Sequence, residues 1–235
     1  MTRTSTITIG LLSTTFLLIA FLFSIPADAE SCEYKALIIV SDYMGTSQDE
    51  LGKAIAFQEY LVSNGYGSDD ITFLTSEEVP YKDDIVTIAN IIDAFERLID
   101  ESRHKTHVNI YISDNAHTVQ TESFYRFADG IVSCSEIIGW VDQMEYRSLN
   151  YITLGNHSGS FGPQLAGPDR VIMSSMRDDE EHLIDRFDIT RSLEDPKADL
   201  DLDGMVSFVE AFLKEKEILI EYGQDPQLWL MTGVL

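Results

Sequence analysis

The stretch from Tyr151 to Phe161 constrains the fold more than any other part of the 235-residue chain. It begins with a short apolar run, Tyr151 to Leu154, which stops at Gly155 and is followed by small polar residues. A run of this kind is typical of a buried parallel strand that ends at the carboxyl edge of a sheet. Open α/β sheets place their ligand-binding and catalytic groups at that edge. We therefore expect a parallel sheet, with candidate functional residues directly after Leu154.

Similar apolar runs predict four more strands of the same sheet, at residues 34–42, 71–74, 107–112 and 170–174. Between these strands, apolar residues recur at helical spacing over residues 49–64, 85–99 and 135–145, which predicts three helices. A hairpin is expected within residues 123–133. Asp83 and Asp84 are expected at the positive amino end of the second helix. Strands and helices that alternate with short links form right-handed crossovers. The prediction is an α/β fold with a mainly parallel sheet and helices on both faces.

The first 29 residues predict export. A single cation, Arg3, precedes a mostly apolar stretch, and Ala27-Asp-Ala29 matches a signal-peptidase site. Because the stretch nearly reaches the length that spans a bilayer, an uncleaved anchor is the alternative. We predict a secreted or extracytoplasmic protein whose mature chain begins at residue 30, or a cell-surface protein if the segment is retained.

The net charge of the chain is -24, and this excess of carboxylates limits the possible partners. Nucleic acid and anionic membrane surfaces repel such a chain, so neither is expected as a partner. Divalent cations are not excluded as ligands, because the carboxylates attract them. The cysteines, Cys32 and Cys134, could pair in an oxidising compartment, and the sequence leaves this open.

The stretch from Tyr151 to Phe161 ends in Ser158-Gly-Ser-Phe161. It thereby resembles the legumain (asparaginyl endopeptidase) family of the caspase/legumain clan, whose nucleophile strand ends in Ala-Cys-Tyr-Ser-Gly-Ser-Phe. Residues 58–75 and 165–175 are similar to two further segments of the family, so the resemblance covers about residues 35–230. It implies a caspase-like, flavodoxin-like domain over residues 30–192. Residues 193–235 would then form a carboxy-terminal segment packed on the same domain.

On this alignment both catalytic positions differ from the family pattern. Asn156 stands where the family has its cysteine, and Asp114-Asn115-Ala116 stands where the family has Asp-His-Gly. Attack by a thiolate needs a sulfur and a nearby base, and asparagine supplies neither. The resemblance therefore implies a catalytically inactive peptidase homologue that acts by binding a peptide or a protein.

A surviving hydrolase is the alternative. His117 and His157 would both lie near the carboxyl edge of the sheet, where they could form a relocated acid/base pair or, with Asp114, bind a metal. Ser158 and Ser160 are the nearest hydroxyls.

A calcium loop is predicted outside the peptidase-like region. Residues 199–210 fit the pattern Asp-x-Asp-x-Asp-Gly-x5-Glu of an EF-hand loop at every position. Gly204 would allow the sharp turn, and Pro196 makes an entering helix doubtful. An exiting helix is expected to point Phe208, Phe212, Ile218, Leu219 and Tyr222 inward. The expected Ca2+ ligands are Asp199, Asp201, Asp203, the Met205 carbonyl, Ser207 through water, and Glu210.

Overall fold

The computed structural model describes residues 32–41, 48–79 and 82–231. The strands are β1 (Glu33–Val40), β2 (Ile71–Thr75), β3 (Thr106–Ser113), β4 (Ala116–Val119), β5 (Glu122–Phe127), β6 (Gly130–Ser133), β7 (Ser148–Leu154), β8 (Arg170–Ser174) and β9 (Gln227–Leu230). The helices are α1 (Gln48–Ser63), α2 (Ile88–Glu101), α3 (Cys134–Val141), α4 (Gly162–Leu165), α5 (Ile189–Leu193) and α6 (Phe208–Ile220).

A six-stranded sheet in the order β2-β1-β3-β7-β8-β9 forms the centre of the molecule. Its first five strands run parallel, and β9 pairs antiparallel with β8. Strands β4, β5 and β6 form a separate antiparallel sheet. The predicted α/β fold with a mainly parallel sheet is confirmed.

Helices cover both faces of the central sheet because its strands are apolar on both sides. In β1, Leu37 and Ile39 pack with α2 and α3 on one face, whereas Ile38 and Val40 pack with α1, α5 and α6 on the other. A parallel sheet buried on two faces requires such continuous apolar runs.

Helix α2 begins later than the sequence predicts. Thr87 is its N-cap, and its Oγ1 accepts a hydrogen bond from Asn90 N at 3.2 Å. Asp83 and Asp84 are not in the helix. They lie beside β2, where Asp83 N donates to Phe73 O at 2.9 Å and the Asp84 carbonyl accepts a bond from Thr75 N at 3.1 Å. The expectation that these aspartates stabilise the helix start is therefore wrong.

Three further differences concern short or terminal elements. Helix α3 ends at Val141 instead of reaching residue 145. Strands β4 and β9 were not predicted; each has only four residues, which is too short for a clear alternating pattern. In the predicted exiting helix, Phe212 is buried as expected, but Tyr222 lies beyond the end of α6 and is 61% exposed.

Residues Ser31–Leu235 form one compact unit. Both cysteines are free: Cys32 is exposed, whereas Cys134 is fully buried at the start of α3. The predicted export signal lies outside the described residues. Within the described part of the chain, no helix is long and apolar enough to cross a membrane.

Candidate functional site

The structure brings the two asparagine positions together at the carboxyl edge of the sheet. Because β3 and β7 are parallel neighbours with Ser113 opposite Leu154, the residues that follow them also meet. Asn156 N donates to Asn115 Oδ1 at 2.9 Å, and Ala116 N donates to Asn156 O at 2.9 Å. The side-chain oxygen of Asn156 in turn accepts a bond from His182 N at 2.8 Å. Both carboxamides thus hold backbone amides in place.

Gly155 allows this close approach. Its φ of +112° lies in a region that side-chain-bearing residues rarely adopt, and a Cβ added there would lie 2.5 Å from Asp114 O. The Gly155 amide donates to Ser175 Oγ at 3.1 Å and to Asp185 Oδ2 at 2.9 Å. The turn after β7 is therefore fixed by β3 on one side and by the segment after β8 on the other.

Asp114 is a buried acid directly beside the asparagine pair. Its Oδ1 accepts a bond from Asn115 N at 2.8 Å, while its Oδ2 is buried without a partner among the described residues. Burial raises the pKa of this carboxyl to about 8, and the hydrogen bond from Asn115 N only partly opposes that shift. Asp114 is therefore mostly protonated at neutral pH, where it can donate a proton but cannot act as a general base or as an anionic metal ligand.

The two histidines of the alternative mechanism have different surroundings. His157 has a left-handed backbone (φ 59°), and its ring bonds to Asp178 O at 2.8 Å and to Glu181 Oε1 at 2.7 Å. His117 stacks on Phe124, with ring centroids 5.6 Å apart. Its Nε2 is buried without a partner in the described part of the chain.

Burial lowers the pKa of His117, and the charges of Arg126 and His157 lower it further. The charge of His157 therefore contributes to the lowered pKa of His117. They do not form a metal-ligating cluster with Asp114: among the described residues, three or more such groups come within 4.8 Å of one another only at Asp199, Asp201 and Asp203.

No activated nucleophile lies beside these histidines in the described hydrogen-bond network. Ser158 is fully buried; its Oγ lies 3.3 Å from Ser175 Oγ and accepts a bond from Met176 N at 3.2 Å. Ser160 Oγ is buried without a partner in the same described region. Burial raises the pKa of the Cys134 thiol to about 12, so its thiolate is scarcely populated.

A buried polar network lies at the same edge of the sheet and was not predicted. Lys53 Nζ lies 2.9 Å from Glu50 Oε1 and also donates to the Asp185 carbonyl, while Ser175 Oγ donates to Asp185 Oδ2. Gln224 Nε2 reaches Asp185 Oδ1 at 2.6 Å. Burial, followed by the charge of Asp185, raises the pKa of Glu50 to about 7.

This network joins α1 to the segment between β8 and α5. No sequence signal could have revealed it, because its members are far apart along the chain and follow no periodic pattern.

The predicted calcium loop holds its aspartates close together. Ligand oxygens of Asp199, Asp201 and Asp203 all lie within 4.8 Å of one another. One oxygen of each bonds to the loop backbone: Asp199 Oδ2 to Gly204 N at 3.0 Å, Asp201 Oδ1 to Asp203 N at 3.1 Å, and Asp203 Oδ1 to Met205 N at 2.8 Å. Asp199 Oδ1 is buried without a partner among the described residues. Gly204 has a φ of 91°, as the predicted sharp turn requires.

Glu210 and Ser207 close the loop differently from the prediction. Ser207 is the N-cap of α6 and forms a capping box with Glu210. Glu210 Oε1 accepts bonds from Leu200 N at 2.9 Å and Asp201 N at 3.2 Å. Hydrogen bonds from Ser207, and then from Leu200, lower the pKa of Glu210 to about 2. A 3-10 turn, Pro196–Ala198, precedes the loop where an EF-hand would have its entering helix.

Comparison of the chain with known proteins finds no matching family model and no matching curated protein.

Proposed function

We propose that this chain is an exported, catalytically silent relative of the legumain-like peptidases, which acts by binding a peptide or protein at the carboxyl edge of its sheet. The observation that carries the proposal is the hydrogen bond between Asn156 N and Asn115 Oδ1. These residues occupy the two positions that the resemblance assigns to the nucleophile and its base.

The chemistry of the two asparagine side chains supports a protein without catalytic activity. An asparagine carboxamide neither ionises near neutral pH nor attacks a carbonyl, so the pair cannot replace a thiolate and an imidazole. The Asn115 oxygen is already committed to the Asn156 amide, and the Asn156 oxygen to the His182 amide. Both side chains therefore hold backbone segments in place, and this structural role does not require catalysis.

The same edge of the sheet keeps room for a ligand. A cavity of about 450 Å³ is lined by residues of β4, β5, α4 and β9, by Gly159 and Ser160 after β7, and by Arg177 and Asp178 after β8. Ligands of open α/β folds bind outside the carboxyl ends of the strands. A peptide-binding function is therefore compatible with the loss of the nucleophile.

A surviving hydrolase that uses Asp114, His117 and His157 is the second candidate. The unpartnered, buried Nε2 of His117 favours it, because buried ring nitrogens normally have a partner. Against it stands the absence of a serine–histidine hydrogen bond in the described part of this region. Asp114, mostly protonated at neutral pH, could not activate a nucleophile as a general base either.

Incubation of the purified protein with a mixed peptide library tests the proposal. We expect mass spectrometry to detect no new cleavage products, with calcium or with chelator, while size-exclusion capture retains a subset of the peptides. Cleavage that is lost in His117→Ala would favour the hydrolase instead. Absence of both cleavage and retention would contradict the peptide-binding function.

We also propose that the loop of residues 199–210 binds Ca2+ as a structural ion. The unpartnered Asp199 Oδ1 and the close carboxylates of Asp201 and Asp203 fit a hard cation that prefers oxygen ligands. Glu210 fits less well, since its oxygens are bonded to backbone amides. When bound, the ion would neutralise the mutual repulsion of the aspartates.

Calorimetric titration with CaCl2 tests the ion site. We expect binding that Asp201→Asn weakens at least ten-fold, whereas Asp69→Asn, an exposed aspartate outside the loop, leaves it unchanged. Equal binding by both variants would show that the acidic surface attracts calcium without a specific site.

A further inference from the structure

The two outer strands of the central sheet differ in how their outer edges are protected. Strand β2 is buried along its whole length, and residues of the following segment pair with it in an isolated bridge between Leu74 and Asp84. Asp83 N donates to Phe73 O at 2.9 Å, and Thr75 N donates to Asp84 O at 3.1 Å. Unpaired strand edges attract further strands, so these bonds close the β2 edge to other chains.

The outer edge of β9 is open in the described part of the chain. This strand is the last in the sheet order, and each of its four residues is at least partly exposed, with Leu230 at 43%. Beyond its pairing with β8, the backbone of Leu228, Trp229 and Leu230 makes no further backbone hydrogen bond to any described residue. Every second residue of an edge strand points its N–H and C=O groups away from its neighbour. Strand β9 therefore offers such groups to an added strand.

Strand β9 also runs along the cavity of about 450 Å³. Gln227 and Trp229, which point to the same face of the strand, line that cavity. Leu228 packs with the core on the other face of the sheet, and Leu230 points to the same side as Leu228. Gln227 pairs with Ser174, the last residue of β8, so β9 starts at the carboxyl edge of the sheet. A chain paired with β9 would therefore place every second side chain on the face of the cavity.

The charge of the protein and the length of β9 decide between the possible occupants of this edge. A second copy would bring another net charge of -24, and the two copies would repel each other. Pairing of two four-residue strands also buries little of the surface that a stable protein interface needs. An extended peptide of neutral or basic residues avoids the repulsion, and its affinity comes from main-chain hydrogen bonds to the edge.

We propose that an extended, non-acidic peptide adds to the open edge of β9 as a seventh strand of the central sheet, an inference that rests on the proposed peptide-binding function. The peptide backbone would bond to the outward N–H and C=O groups of β9. Its side chains would alternate between the cavity, beside Gln227 and Trp229, and the opposite face, beside Leu230.

A methylation scan of a bound peptide tests the added strand. A random library of acetylated hexapeptide amides without proline is captured on the purified protein, and the retained peptides should be depleted in Asp and Glu. The tightest binder is then resynthesised with each backbone amide N-methylated in turn, and fluorescence polarisation measures each affinity. Only every second amide of an added strand faces β9, so we expect about five-fold weaker binding at alternate positions and little change between them.

Hydrogen exchange of the natural protein locates the edge that binds. Addition of the same peptide should slow the exchange of amides within residues 227–231, because the added strand covers the outward N–H groups of β9. Residues 71–75 form the edge that is already covered, so they are the internal control and should exchange at an unchanged rate.

Affinity that does not alternate with the position of the methyl group, or protection elsewhere than residues 227–231, would overturn the inference and leave the proposed function intact. Protection of these residues without peptide, together with a dimer in analytical ultracentrifugation, would identify a second copy as the occupant and would also overturn it. Absence of binding by any peptide would contradict both proposals.

Discussion

Asp114→Asn should change how the stability of the protein depends on pH. The pKa of this carboxyl is about 8 in the folded protein, because burial disfavours its charged form. The unfolded value is about 4. Below pH 4 both states are protonated and the residue has no effect. As the pH rises from 4 to 8, the unfolded state loses its proton while the folded state keeps it, so stability falls.

The slope follows from proton linkage. One proton of difference between the two states changes the free energy of unfolding by about 1.4 kcal/mol per pH unit, or about 3 kcal/mol between pH 5 and pH 7. Asparagine cannot ionise, and its Oδ1 can still accept the bond from Asn115 N. The variant should therefore be stabilised relative to the natural protein by about 3 kcal/mol more at pH 7 than at pH 5.

Urea denaturation at pH 5, 6 and 7 measures this difference. Comparison of the two proteins at each pH cancels the contributions of other groups, including Glu50, whose pKa is also raised. Asp93→Asn, at an exposed position of α2, is the matched control and should follow the natural protein. If Asp114→Asn showed the same pH dependence as the natural protein, Asp114 would be ionised in the folded state and the description of the site would be wrong.

Three further predictions concern stability. Glu215→Ala should cost about 3 kcal/mol in urea denaturation, because the buried carboxylate accepts bonds from Asp188 N and Ser192 Oγ, whereas exposed Glu217→Ala should cost little. Gly155→Ala should lower the melting temperature strongly, since its Cβ would collide with backbone, while Gly139→Ala in α3 has open space and should stabilise slightly. Chelation of calcium should lower the melting temperature, and an unchanged value would argue against the loop site.

The sequence predicted the central sheet because each buried parallel strand leaves a continuous apolar run. It could not predict the start of α2. Asp83 looks like a favourable helix start, but its carboxylate accepts a bond from Phe73 N at 2.6 Å, and that contact depends on the tertiary structure. Strand β9 was missed for a similar reason: Trp229 pairs with Ile172 of β8, a partner that no local pattern indicates.

The candidate site was predictable in part. The alignment with the legumain pattern selected Asn115 and Asn156, and the parallel register of β3 and β7 brings them into contact. The residues that surround them could not be predicted. His182 and Asp185 belong to an acidic segment without periodicity, and only folding places that segment against the asparagine pair.

Restoration of the two catalytic residues is the most direct test of the central claim that catalysis was lost with the dyad. The double variant Asn115→His with Asn156→Cys should be assayed beside the natural protein for cleavage of a mixed peptide library. We expect the natural protein to be silent and the double variant to cleave after Asn or Asp, as the resemblance implies. Cleavage by the natural protein, abolished in His117→Ala, would contradict the account and identify a relocated catalytic site.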